Sequence, residues 1–95
     1  MKGTEKQIAW AEDIKSKFIS VMEAPEFNSD PNGAKVCKAF AAAIESIDYA
    51  GTIIDMFKDA GLNGDHLHDF GRIMSEFKVN RVARQWYLDV FNSIK

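Results

Sequence analysis

Thr4 followed three residues later by Gln7 has the spacing of a capping box, and it opens a run whose large apolar residues recur at helical intervals. Projected at about 100° per residue, Ile8, Trp10, Ala11, Ile14, Phe18, Ile19, Val21 and Met22 share one half of a cylinder. Glu5, Lys6, Glu12, Asp13, Ser16, Lys17, Ser20 and Glu23 occupy the other half. An apolar half-cylinder is wide for a single neighbour, so this helix is expected to touch at least two others. The same width leaves self-association across a two-fold axis open. Ala24-Pro25 ends the run, because proline disfavours the helical conformation of the residue before it.

After a loop over residues 25–30, Asp30-Pro31 supplies an N-cap and a first helical residue. Val36, Phe40, Ile44 and Ile47 form the stripe of this second segment. From Ala50 the stripe moves around by about 80°, to Ile53, Ile54, Phe57 and Ala60. Gly51 lies at the jump, which predicts a kink or short break at Tyr49 to Gly51. Ala60-Gly61-Leu62-Asn63-Gly64 reads as a stop, with Gly61 suited to the left-handed position after a helix. A third helix is expected from Asp65 to Phe77, with Leu67, Phe70, Ile73, Met74 and Phe77 inward. Asn80 is read as the cap of a last helix whose inward arc is Val82, Ala83, Trp86, Tyr87, Val90, Phe91 and Ile94. The fold class is therefore all-α: a compact bundle of four helices, or five if the second is broken, in a single domain spanning residues 1–95.

Hydrophobic residues make up 46% of the 95 and charged residues 27%, which suits one apolar core and argues against wholesale disorder. No apolar run approaches the roughly 18 residues of a membrane span, so no membrane partner is expected. Met1-Lys2-Gly3 leads straight into the amphipathic run, and no signal peptide is expected. A lone cysteine, Cys37, cannot staple a secreted domain, which points to a reducing cytoplasm. Net charge is −2 but uneven: residues 72–95 carry +3 and the remainder −5. No dense block of like charge is present, which excludes a mimic of nucleic-acid phosphates.

Asp65-His66-Leu67-His68-Asp69 is the densest set of metal-ligand types. His66 and His68 are two apart and point about 160° from each other on a helix, so only Asp65 with His68, or His66 with Asp69, share a face. A structural zinc site wants four ligands, and no second cysteine or third histidine is available. The expectation is no metal, with a helix-terminus histidine and first-turn aspartates opposing the helix dipole. Asp59 to Phe70 also lines up with a calcium loop, Gly64 falling at its sixth position. However, Gly61 and Phe70 stand where the third ligand and the bidentate glutamate belong, so an ordinary interhelical turn is expected. Cys37 has no histidine partner visible in the sequence, and no glycine-rich phosphate loop occurs. No catalytic residue, cofactor or enzymatic activity is implied.

The last helix offers the best surface for a partner. Arg81, Arg84, Gln85 and Asn92 surround Leu88 on its outer arc, an apolar anchor ringed by polar groups as in a protein interface. The alternative is a nucleic-acid module in which Arg72, Lys78, Arg81 and Arg84 meet phosphates.

The opening run Gly3-Thr4-Glu5-Lys6-Gln7-Ile8-Ala9-Trp10-Ala11-Glu12-Asp13-Ile14-Lys15 resembles a short segment of uncharacterised proteins from bacterial phages and mobile elements. Those proteins are expected to carry a tryptophan-rich helix ahead of an Ile-Asp pair; the comparable stretch here, Thr52-Ile53-Ile54-Asp55, has no tryptophan. The resemblance implies a small cytoplasmic accessory protein that acts by binding a host protein. An inhibitor of a bacterial defence system such as CRISPR is one case of that kind.

Overall fold

Thr4 and Gln7 start the first helix as their spacing requires. In the computed structural model, which describes residues 1–94, the Thr4 hydroxyl accepts from the Gln7 backbone N–H at 3.1 Å. The Gln7 side-chain oxygen accepts from the Thr4 N–H at 3.0 Å. Two amide donors that a helix N-terminus leaves without partners are thereby satisfied. Helix α1 runs Glu5–Met22, and a single 3-10 turn, Pro25–Phe27, follows it. The Asp30 carboxylate accepts from the Gly33 N–H at 3.0 Å and starts α2, Pro31–Glu45. Three more helices follow among the described residues: α3 Ala50–Phe57, α4 His66–Val79 and α5 Arg81–Asn92. No strand is present among the described residues, and no helix is long and apolar enough to cross a membrane. Lys95, counted in the basic balance of residues 72–95, lies outside the described residues.

The expected break after the second apolar stripe falls at residues 46–49, and it makes five helices in place of four. Gly51 is not the breaking residue; it sits in the first turn of α3. The cause is the N-terminal segment. The Lys2 N–H donates to the Asp48 carbonyl at 2.6 Å, and the Ala50 N–H donates to the Lys2 carbonyl at 2.9 Å. These bonds take the place of the helical ones that residues 48 and 50 give up. Gly3 permits the approach: its φ is +149°, and a Cβ there would stand 3.0 Å from Ala50 Cβ.

Asn80 holds the other end of α3. Its N–H donates to the Glu76 carbonyl at 2.8 Å, closing α4, and its Oδ1 accepts from the Ala83 N–H at 3.0 Å, opening α5. Its Nδ2 donates to the Asp55 and Met56 carbonyls at 2.7 and 3.2 Å. One side chain thus caps α5 and ties it to the end of α3, which explains a sharp helix boundary without glycine or proline.

The core forms where α1 packs against α2, α3 and α4, so its wide apolar face does meet more than one neighbour. Phe18, Ile44, Ile53, Met56, Phe57 and Ile73 are fully buried. Trp86 of α5 sets its edge against Phe18 and Phe40, with ring centres 5.7 and 5.5 Å away. Four residues expected inward are instead exposed: Trp10, Leu67, Val82 and Phe91. Trp10 lies at the margin of the α1 arc, and in the first turns of α4 and α5 the buried positions are Asp69 and Ala83, with Leu67 and Val82 turned to solvent. The inward arc of α4 is centred on Asp69 and Ile73, which turns Leu67 to solvent.

Candidate binding surface

Asp69, read from sequence as a first-turn aspartate opposing the helix dipole, is completely buried. Its two oxygens accept from the Asn63 and Gly64 backbone N–H groups at 3.1 and 2.8 Å, and Arg72 Nη1 donates to it at 3.1 Å. Gly61 and Gly64, at φ +70° and +96°, turn the connecting segment so that both amides face this carboxylate. Arg72 is therefore the counter-ion of Asp69, so part of its guanidinium is engaged within the fold.

The other members of the cluster also have local partners. His68 Nδ1 lies 2.6 Å from the Asp65 carboxylate at the start of α4, and both side chains are exposed. That hydrogen bond, followed by the bond from the His68 backbone N–H, holds the Asp65 carboxyl below its ordinary range. His66 turns inward and shares a 2.7 Å hydrogen bond with Ser20 of α1. The pair lines a cleft of about 570 Å³ with Glu12, Lys15 and Glu45. Ser20 sits within α1, where the backbone N–H groups are consumed by the helix and supply no oxyanion donors. We read the pair as a bridge between α1 and α4. No group of three or more His, Cys, Asp or Glu side chains is placed to hold a metal among the described residues.

Arg81, Arg84, Gln85, Leu88 and Asn92 are all exposed on α5. Gln85 donates to Asp89 at 2.9 Å, while Arg81 and Arg84 have no ion-pair partner among the described residues. Lys78, at the end of α4, is exposed as well. Leu88 is 42% exposed and Phe91 48%. Arg84, Leu88 and Phe91 follow an i, i+4, i+7 spacing, so they form one stripe along α5.

Beside that stripe lies a feature the sequence did not reveal. An apolar groove of about 390 Å³ opens between α2, α4, α5 and the 3-10 turn, walled by Phe27, Val36, Phe70, Met74, Tyr87 and Phe91. A shallower hollow of about 220 Å³, lined by Val36, Phe91, Asn92 and Ile94, extends it toward the end of α5. Phe27 and Phe70 stack at 4.4 Å, and Phe77 and Tyr87 meet at 4.8 Å, so aromatic pairs stiffen both ends. Cys37 lines the groove, its thiol donating to the Phe27 carbonyl at 3.6 Å, and burial pushes the thiol above its ordinary pKa. Phe91 belongs to the apolar arc of α5, but the space it points into is the groove.

Comparison with protein-family models, with characterised proteins and with solved structures finds no match to this chain.

Proposed function

We propose that the chain is a non-enzymatic protein-binding module and that its partner docks on the outer face of α5 and the adjoining groove. The observation that carries this reading is an apolar groove whose wall residue Phe91 lies one helical turn from exposed Leu88, beside arginines with no ion-pair partner among the described residues. An apolar centre with a polar, arginine-bearing rim is the anatomy of an interface hot spot. The resemblance of the opening segment supports a phage or mobile-element accessory protein, inhibiting a bacterial defence system such as CRISPR. Free Cys37 suits a reducing cytoplasm for that role.

Nucleic-acid binding is the weaker reading. With part of the Arg72 guanidinium engaged by Asp69, the unpaired members of the basic set among the described residues are Lys78, Arg81 and Arg84. Three phosphate contacts give a salt slope of only about −3 and a correspondingly small affinity.

Leu88→Asp is expected to abolish capture of a protein partner from nuclease-treated bacterial lysate, with the helical circular dichroism unchanged. Leu88 is on the surface, so its replacement spares the core. Undiminished capture would remove α5 as the docking face, and recovery of nucleic acid with proteins lost on nuclease treatment would favour the weaker reading.

A further inference from the structure

Resting on the protein-binding reading, we infer that the groove takes an amphipathic helix from the partner, apolar along one face and acidic at the end that meets Lys78, Arg81 and Arg84. The chemistry of the walls selects a helix. Apart from Asn32 and the Tyr87 hydroxyl, the lining presents almost only carbon and sulfur. An extended peptide laid there would leave its backbone N–H and C=O groups without partners, whereas a helix satisfies its own. From Asn32 to Phe40 the α2 wall rises about 12 Å, the length of roughly two helical turns. The aromatic walls suit apolar anchors spaced i, i+4, i+7.

Charge fixes the orientation. α2 and α4 place Phe40 and Phe77 at one end of the groove and Phe27 and Phe70 at the other. Arg84 precedes Tyr87 by three residues and Lys78 follows Phe77, so the basic side chains gather at the Phe40–Phe77 end. At the Phe27 end Glu26, Asp30 and Lys35 leave a net charge of −1, Arg72 there being paired with Asp69. A helix with glutamates at one end complements this gradient, and a helix with lysines there meets like charge.

The test uses the full chain and two 15-residue designed helical peptides with leucines at i, i+4, i+7 and i+11, one bearing three terminal glutamates and the other three lysines. Binding is followed by chemical-shift mapping and by fluorescence anisotropy at low salt. The glutamate peptide is expected to shift Val36, Phe70, Met74 and Phe91 and to bind about tenfold or more tightly than the lysine peptide. Arg81→Glu with Arg84→Glu, two surface changes, is expected to erase or invert that preference. Equal affinity for the two peptides, shifts confined to other surfaces, or a groove already filled by a second copy or by added palmitate would each overturn the assignment. If Leu88→Asp still abolishes partner capture in that event, protein binding stands and only the occupant is wrong.

Discussion

Asp69→Ala is expected to lower the unfolding free energy by about 3 kcal/mol, a large effect for a residue in the first turn of a helix. The carboxylate is fully buried and accepts from two backbone amides of the 61–65 segment and from Arg72. Hydrogen bonds to a charged group contribute more than neutral ones, about 1.5–3 kcal/mol each before non-additivity. Two factors hold the loss near the lower end of the range for broken buried pairs. Arg72 is 37% exposed and can be rehydrated, and alanine also removes the desolvation of the carboxylate. Arg72→Gln is expected to cost less than about 1 kcal/mol, since the two amide bonds to Asp69 remain. Urea unfolding followed by circular dichroism measures both. A loss below about 0.5 kcal/mol for Asp69→Ala would mean that the carboxylate does not hold the segment between α3 and α4.

Phe18→Ala is expected to cost about 4 kcal/mol. Phe18 is fully buried in α1, 5.4 Å from the Phe57 ring of α3 and 5.7 Å from the Trp86 ring of α5. Truncation removes the ring from both contacts and leaves a cavity at the junction of three helices that stiff neighbours cannot close. A domain of this size has a stability on the order of 5–14 kcal/mol, so the variant should melt far below the parent. Trp10→Ala provides the contrast: that side chain is 47% exposed, and its loss should cost about 1 kcal/mol or less. Equal effects from the two replacements would contradict the assignment of Phe18 to the centre of the core.

What the chain discloses in sequence is what is decided locally. Thr4 with Gln7, Asp30 with Pro31, and Asn80 each place a hydrogen-bonding group beside the amide it satisfies, so the helix starts can be read directly. The gap at residues 46–49 is fixed by Lys2, far away in the chain, and no glycine or proline marks it. Gly51 drew the eye because the apolar stripe shifts there, yet it is an ordinary helical residue. Ser20 and His66 meet across 46 residues for the same reason. Asp69 was missed because its partners lie in the preceding loop, where turns at Gly61 and Gly64 aim the Asn63 and Gly64 amides at it. On the binding side, Leu88 and the arginines follow from the α5 projection alone. The groove does not, because a projection shows which way Phe91 points and not whether a neighbouring helix arrives to cover it.

The docking face on α5 is tested most directly by site-specific photo-crosslinking from that helix. A benzoyl-phenylalanine at position 88, and another at position 6 on the exposed side of α1 as reference, would be irradiated in nuclease-treated bacterial lysate. One discrete protein adduct is expected from position 88, absent from position 6 and suppressed by Arg84→Glu. Equal adducts from both positions, or adducts from position 6 alone, would contradict the proposal that α5 and its groove are the docking face.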